Sequence, residues 1–260
     1  MDWYSGTSGY SYKEWKGSFY PDDLGADAML AYYAQKLPAV EINNTFYRMP
    51  RREVLAGWAD AVPASFRFVI KASKRITHDQ RLVDAGDSVN YLVDKLEALG
   101  DRLGAVLFQL PPNLRKDMER LNGFLATLPQ AIPAAMEFRH VSWHDTEVFE
   151  TLANRNIALC VSDDGELALP ERVATTSWLY LRLRQPGYDD AALTAWLAKA
   201  NATSAITGYA FFKHEDDAGG PPLAARFLEL ANDTAQAPKP PQRARQEPKT
   251  GPSRKGRIAK

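Results

Sequence analysis

The chain has 260 residues and equal numbers of acidic and basic side chains, so its formal net charge is zero. Its length fits one large domain or two small ones, and an apolar content of 45% is enough for a sizeable core. A single cysteine, Cys160, excludes an internal disulfide and is typical of a reducing compartment. The chain shows neither a signal-peptide pattern nor an apolar run long enough for a membrane helix. We therefore expect a cytoplasmic protein without a membrane partner.

Charge is unevenly distributed along the chain. Residues 236–260 contain eight Lys and Arg against one acid, Glu247, whereas the preceding residues have a net charge of −7. The basic segment has almost no large apolar side chains, so it cannot bury enough surface to offset the entropy of ordering it. We predict a folded domain over residues 1–235 and a disordered basic tail over 236–260. The tail is expected either to bind nucleic acid or to act only as a solubilising extension.

Eight short apolar runs, most of them rich in β-branched and aromatic residues, predict β-strands. They are Trp3–Thr7, Val40–Asn43, Phe66–Ala72, Gly104–Leu110, Ala134–Arg139, Ile157–Asp163, Trp178–Arg184 and Gly208–Lys213. Amphipathic helices are predicted over Ala28–Leu37, Arg51–Val62, Val89–Leu99, Met118–Leu128, Thr146–Asn154, Ala191–Lys199 and Pro222–Leu230. Segment Glu166–Val173 has a weaker helical pattern of about one turn. Ser88 and Asp145 are suited to cap the helices that follow them.

Strands that alternate with helices in this way predict a parallel sheet of the α/β class, and eight units fit one closed (β/α)₈ TIM-type barrel. An open, doubly wound sheet is the competing architecture. Against it, Gly6-Thr7-Ser8-Gly9 after the first strand lacks the glycine pattern of a nucleotide-binding loop. In a barrel, the functional site is expected at the carboxyl ends of the strands.

Alternation along the strands predicts which side chains point into the barrel, because successive residues face opposite sides. The predicted inward residues are Glu41, Asn43, Lys71, Ser73, Leu107, Gln109, Glu137, Arg139, Tyr180, Arg182 and Arg184. Barrel interiors usually hold branched apolar residues, and an unpaired buried charge costs several kcal/mol. This concentration of charge therefore indicates a functional site, with an internal ion-pair network as the alternative.

The surplus of basic residues, with Lys71, Arg139 and Arg182 at its centre, favours a small anionic ligand. Glu41 and Glu137 are candidates for a catalytic acid/base pair, or else are ion-pair partners of Lys71 and Arg139. Lys71 is expected to form an ion pair or to contact the anion rather than to act as a Schiff-base nucleophile. No close spacing of metal ligands is present, and a metal site of carboxylates and histidines from separate strands is only a weaker alternative. The sequence does not identify a cofactor.

Other side chains near strand ends are candidates for substrate binding. They are Tyr10, Asn43, Asn44, Tyr47, His78, Gln109 and Asp163, with His214 a weaker candidate after the eighth strand. Aromatic residues also crowd the first two strand-to-helix loops, at Tyr10, Tyr12, Trp15, Phe19, Tyr20, Phe46 and Tyr47. We expect these aromatic rings to form a packed cap over the barrel mouth, or to stack on a base or sugar ring.

Several motifs together carry a resemblance to a known family. They are Gly6-Thr7-Ser8-Gly9-Tyr10, Val40-Glu41-Ile42-Asn43-Asn44-Thr45-Phe46-Tyr47, Thr77-His78 with Arg81-Leu82, Phe108-Gln109-Leu110-Pro111-Pro112, Glu137-Phe138-Arg139-His140, Ser162-Asp163, Tyr180-Leu181-Arg182 and Phe211-Phe212-Lys213-His214-Glu215. From residue 3 to about 232 the chain resembles the YecE-like family, also called domain of unknown function 72. The resemblance implies a TIM-type barrel and no established activity. Many relatives have Asn-Asn where this chain has Lys213-His214, so a role at that strand end does not carry over.

The leading hypothesis is an enzyme, a hydrolase, lyase or isomerase, that acts on a small anionic or phosphate-bearing substrate. A nucleic-acid-binding or processing protein and a non-catalytic ligand-binding protein are the alternatives. A small closed pocket would favour the first, and an open basic groove would favour the second.

Overall fold

The computed structural model describes residues 1–165, 167–170, 174–213 and 218–236. Within these ranges, eight parallel strands close into a barrel in which each strand pairs with its neighbours in the sequence and β8 pairs with β1. The strands are β1 (Asp2–Ser8), β2 (Ala39–Ile42), β3 (Arg67–Lys71), β4 (Leu103–Gln109), β5 (Ala134–Glu137), β6 (Ala158–Ser162), β7 (Trp178–Leu183) and β8 (Thr207–Phe212). The alternating pattern in the sequence is confirmed as a TIM-type barrel.

Helices connect most of the strands and surround the barrel. They are α1 (Met29–Ala34), α2 (Arg52–Asp60), α3 (Gly86–Leu96), α4 (Met118–Thr127), α5 (Thr146–Asn154), α6 (Asp190–Asn201) and α7 (Gly220–Gln236). None of the described helices is both long enough and apolar enough to cross a bilayer. Between β6 and β7, residues 167–170 are not helical, and the remainder of the weakly predicted helix, residues 166 and 171–173, lies outside the described residues.

The ends of several elements differ from the sequence-based prediction. Asn43, Arg139 and Arg184 were assigned to strands but lie in the loops just beyond them. The prediction that Ser88 caps α3 was wrong, because that helix begins at Gly86 and the Ser88 hydroxyl instead donates to Gln80 Oε1 at 2.8 Å. At α5 the predicted cap is confirmed, since the Asp145 carboxylate accepts a hydrogen bond from the Glu147 backbone N–H.

The structure describes only part of the carboxyl-terminal region for which the sequence made predictions. Helix α7 runs further than predicted and includes Gln236, the first residue of the predicted tail. Residues 237–260, which form the rest of that tail, lie outside the described residues, as do residues 214–217 with His214. The tail prediction therefore stays a prediction.

Apolar side chains pack on both the outer and the inner face of the barrel, and a polar layer lies at the carboxyl ends of its strands. Outward-facing residues such as Val40 and Phe68 join the core that packs against the helices. Inward-facing residues fill the barrel centre, namely Ala39, Val69, Ala105, Leu107, Ala135, Ala158, Cys160, Tyr180, Tyr209 and Phe211. Because side chains alternate, the next inward positions along β2, β3, β4, β5 and β7 hold Glu41, Lys71, Gln109, Glu137 and Arg182. The polar layer thus lies next to the apolar side chains that fill the barrel centre, on the side of the strands' carboxyl ends.

The aromatic residues of the first strand-to-helix loop pack together. The rings of Trp15 and Tyr20 are 1% and 2% exposed, and Phe19 lies edge-on to Trp15 with ring centroids 5.7 Å apart. Tyr33 of α1 joins them, and its hydroxyl lies 2.8 Å from the Thr7 backbone N–H and 3.0 Å from the Ala39 carbonyl. These contacts support a packed cap that ties β1, α1 and β2 together, rather than a stacking surface.

Candidate functional site

Arg182 lies at the centre of the polar layer and joins two buried glutamates. Its Nη2 lies 2.7 Å from Glu41 Oε1, and its Nη1 lies 2.7 Å from Glu137 Oε2. All three side chains are at most 2% exposed. Burial on its own would lower the pKa of the Arg182 guanidinium, but the two carboxylates raise it well above its usual value. The group therefore stays charged and connects β2, β5 and β7 across the barrel.

Both carboxylate oxygens of Glu41 are occupied. Oε1 accepts from Ser8 Oγ at 2.8 Å, Asn43 Nδ2 at 2.9 Å and Arg182 Nη2, while Oε2 accepts from Tyr180 at 2.6 Å and Arg182 Nε at 2.9 Å. Burial acts to raise the pKa of Glu41, but Arg182 and the other donors outweigh it and hold the pKa well below its usual value. An ionised, fully hydrogen-bonded carboxylate is suited to holding other groups in place.

Glu137 connects Arg182 to the barrel mouth through Gln109. Glu137 Oε1 accepts from Gln109 Nε2 at 2.7 Å, and Gln109 Oε1 accepts from Lys71 Nζ at 2.7 Å. The amide of Gln109 can satisfy both partners in this orientation, because its nitrogen donates and its oxygen accepts. A continuous line of polar contacts thus runs from Glu41 through Arg182, Glu137 and Gln109 to Lys71.

Lys71 ends this line at the mouth. Its side chain is half-buried, and Nζ lies 4.3 Å from the centroid of the Phe46 ring. Burial, and then the positive charge of Arg182, lower the pKa of Lys71 to about 8, although Glu137 and Glu41 act in the opposite direction. An amine with a pKa near physiological pH can both accept and release a proton, as an acid/base group must.

His78 lies beside Lys71 on an unusual backbone segment. Its ring meets Phe46 edge-on with centroids 4.9 Å apart, and Nδ1 lies 2.9 Å from Thr77 Oγ1. Burial, and then the charge of Lys71, lower the pKa of His78, which favours the neutral imidazole. The residue lies in a π-helical turn, Arg75–Asp79.

The chain just after this turn is strained. Arg81, Leu82 and Asp84 have φ angles of 51°, 71° and 48°, in the left-handed region that non-glycine residues seldom occupy. Such conformations cost about 1–3 kcal/mol each and cluster at functional sites, as π-helical turns also do. The Arg81 guanidinium anchors the loop on Asn113, with Nη1 3.2 Å from Oδ1. The strain therefore supports a role for the segment that holds His78.

Two further arginines bring positive charge to the mouth. The charge of Arg139 contributes to the low pKa of His78, and the charge of Arg184 contributes to the low pKa values of Glu41 and Lys71. Arg184 is half-buried, and its Nε is buried without a hydrogen-bond partner among the described residues. Lys71, Arg139 and Arg184 therefore make the rim around His78 rich in positive charge.

The side chains of four predicted site residues do not take part in the polar line. The Asp163 carboxylate accepts from the Arg184 backbone N–H at 2.6 Å and from the Tyr188 hydroxyl, so it anchors the loop after β7. Tyr10 packs against Tyr33. Asn44 is exposed, and Tyr47 is 76% exposed.

The structure also adds participants that were not predicted as site residues. Ser8 and Tyr180 donate to Glu41, and Arg184 adds charge at the rim. Tyr180 and Arg184 were already predicted to point inward, and alternation along β1 would have placed Ser8 there as well. Among the described residues, no group of three or more His, Cys, Asp or Glu side chains is arranged to hold a metal ion.

Comparison with known proteins identifies the family. Residues 4–248 match the family model "Protein of unknown function DUF72". This chain belongs to the DUF72 family. Two curated relatives are UPF0759 protein YecE of Escherichia coli, 30% identical over 129 residues, and UPF0759 protein YunF of Bacillus subtilis, 28% identical over 141 residues. These matches cover 49% and 51% of this chain and only 47% and 50% of the relatives.

Solved structures agree with the family and the fold. A DUF72 family protein of Thermotoga maritima is 26% identical, with a TM-score of 0.78, and the match covers 89% of this chain and all of that one. A DUF72 family protein of Enterococcus faecalis has a TM-score of 0.73 at 17% identity, over 88% of this chain and 95% of that one, which supports the fold alone. The YecE-like resemblance of the sequence motifs is therefore confirmed.

Proposed function

We propose that this DUF72 protein is an enzyme, a hydrolase, lyase or isomerase, that acts on a small anionic substrate at the barrel mouth, with Lys71 as its proton-transfer residue. The observation that carries the proposal is the polar line that starts at two buried glutamates and ends on the half-buried Lys71 amine. Catalysis by proton transfer needs a group that is both titratable and held in place, and Gln109 fixes the position of Nζ.

The remaining residues take complementary roles in this proposal. Arg139 and Arg184 bind the anionic group, since guanidinium groups hold carboxylates and phosphates bidentately. His78 donates or accepts a hydrogen bond as a neutral imidazole. Glu41 acts as a positioning residue, because its oxygens already accept five hydrogen bonds. Glu137 remains the better acid/base candidate of the two glutamates, because it accepts fewer strong hydrogen bonds.

Turnover of a metabolite mixture tests this proposal. The intact protein and the Lys71→Met variant are incubated separately with a cell extract freed of macromolecules, and both are analysed by mass spectrometry. We expect an anionic compound to be consumed by the wild-type protein and not by the variant. Consumption by neither protein, together with retention of the same compound by both, would support the non-catalytic ligand-binding alternative.

Replacing Arg139 by Met should remove binding of the substrate found in this way, because the substitution removes the positive charge and roughly keeps the length. Binding is measured by calorimetry, with thermal unfolding recorded on the same samples. Arg155→Met is the matched control, since Arg155 is exposed on the loop after α5, near the opposite end of the barrel. A lower melting temperature with unchanged substrate affinity would assign Arg139 to the scaffold instead.

The basic segment favours a second candidate function, binding of nucleic acid. Deleting residues 237–260 keeps all of α7 and removes a net charge of +7. We expect the shortened protein to unfold at the same temperature and to lose affinity for DNA or RNA, while the full chain loses that affinity as salt increases. Mobility-shift titrations of both proteins at low salt measure the difference. Equal affinity of the two proteins would place a nucleic-acid surface on the barrel.

A further inference from the structure

A cavity lies outside the barrel, in a groove between α2 and α3. Its volume is about 910 Å³, within the range of small-molecule sites. Asn44 lines this groove, whereas Phe46, two residues later, faces Lys71 and His78 at the mouth. The β2–α2 loop therefore separates the groove from the mouth, and no residue of the polar line contributes to it.

The floor of the groove is apolar and partly exposed. Val54 and Tyr91 are 45% and 55% exposed, although both are large apolar side chains on the facing surfaces of two helices. Trp58 is held below them by stacking on Phe68, with ring centroids 6.1 Å apart and an interplanar angle of 25°. Clustered apolar side chains that remain open to solvent mark binding surfaces.

Three arginines, Arg48, Arg51 and Arg75, line the same groove and are exposed. Within the described part of the chain, none of them forms an ion pair with a carboxylate. Arg52, the next residue after Arg51, is different, because its guanidinium lies 3.1 Å from Glu97 and 3.5 Å from Asp94. The groove thus combines an apolar floor with three arginines and one lining carboxylate, Asp87, with which none of the three forms an ion pair within the described residues.

We propose that this groove binds a small organic anion with an aromatic body. The ring would lie on Trp58 and Tyr91, and the arginines would hold a carboxylate, phosphate or sulfonate. Charge excludes residues 237–260 as the occupant, since that segment carries +7 and would be repelled. The proposal is independent of the reaction at the mouth, because it uses none of the same side chains.

Titration with the fluorescent aromatic sulfonate 8-anilinonaphthalene-1-sulfonate tests the site. We expect saturable binding of one dye per chain. The triple variant Arg48→Gln, Arg51→Gln, Arg75→Gln should bind about tenfold more weakly, because it loses three ionic contacts that are each weakened by exposure to solvent. Arg52→Gln, the control at the first residue of α2, should bind the dye as the wild-type protein does.

Two further measurements separate the contributions of ring and charge. Tyr91→Ser should weaken dye binding, with folding checked by circular dichroism. The uncharged dye N-phenyl-1-naphthylamine should bind weakly and should not distinguish the wild-type protein from the triple arginine variant. Equal affinity of the wild-type protein and the triple variant for the sulfonate would overturn the proposal. Loss of dye binding in Lys71→Met would also overturn it, because the dye would then be in the barrel mouth.

Discussion

Replacing Arg182 by Met should cause the largest loss of stability of any substitution considered for the barrel. The change leaves Glu41 and Glu137 buried without their shared cation, and breaking a buried ion pair costs about 3–5 kcal/mol. For a domain of this size, 1 kcal/mol corresponds to about 2–4 °C. We therefore expect the melting temperature to fall by about 6–20 °C, or the protein to fail to fold. Differential scanning calorimetry measures the change.

Arg226→Met provides the matched control for this loss. Arg226 also joins two carboxylates, with Nη2 2.7 Å from Asp190 and Nη1 2.7 Å from Glu229, but all three side chains are exposed. Exposed pairs contribute at most about 1 kcal/mol. Equal, small effects of the two substitutions would show that the buried ion pairs of Arg182 with Glu41 and Glu137 are not important for stability.

The buried carboxylate of Glu41 should make the stability of the barrel depend on pH in the acid range. The folded protein holds the pKa of Glu41 below its ordinary value, so Glu41 contributes stability at pH values above that ordinary value. This contribution is lost as the pH falls through the lower pKa of the folded state. As the pH is lowered between the ordinary pKa of a glutamate and the lower pKa of Glu41 in the folded protein, the denaturant midpoint of the wild-type protein should therefore fall. It should fall more steeply than the midpoint of Glu41→Gln, which has no carboxylate to titrate at that position.

The sequence predicted which strand residues point into the barrel, but not which of these side chains pair with one another. A period of two is a local property, so alternation alone correctly directed Glu41, Lys71, Glu137 and Arg182 into the barrel. Which charges meet depends on strand tilt and on packing between distant segments. Arg182 reaches Glu41 across 141 residues, and Lys71 meets an amide instead of a carboxylate. No local pattern contains that information.

Loop residues were harder to place for a related reason. Asn44 to Phe46 form a short 3₁₀ turn directly after β2, which leaves Asn44 and Tyr47 exposed while Asn43 stays beside Glu41. Asp163 instead binds the loop after β7, whose path is set by the backbone N–H of Arg184 and by Tyr188. Strand alternation ends where the strand ends, so it predicts nothing about such turns.

Replacing Lys71 by Met should cause the largest loss of turnover and only a small change in stability. Lys71→Met removes an amine whose charged form is disfavoured by burial, which stabilises the fold, but it also leaves Gln109 Oε1 without its donor. These two effects oppose each other, so the melting temperature at pH 7 should change by only a few degrees. Loss of a proton-transfer group should lower turnover by a factor of about 100 or more.

The pKa itself can be measured without a substrate. Competitive acetylation with acetic anhydride between pH 6 and 11, followed by peptide mass spectrometry, should give Lys71 a midpoint near pH 8. Lys116 supplies the contrast within the same sample, because hydrogen bonds to Glu147 and Asp145 raise its pKa. Because the folded pKa of Lys71 is below the usual 10.5, the folded protein binds fewer protons between these values, and its stability should rise with pH from about 8 to 10.5.

Lys71→Arg then separates proton transfer from simple attraction of an anion. Arginine keeps the positive charge and a hydrogen-bond donor for Gln109, but it does not release a proton at any pH at which the protein is folded. We expect Lys71→Arg to bind the substrate and to be as inactive as Lys71→Met, while wild-type turnover increases as the pH approaches 8. Turnover by Lys71→Arg at the wild-type rate would show that Lys71 only binds the anion. Proton transfer would then have to come from Glu137 or His78.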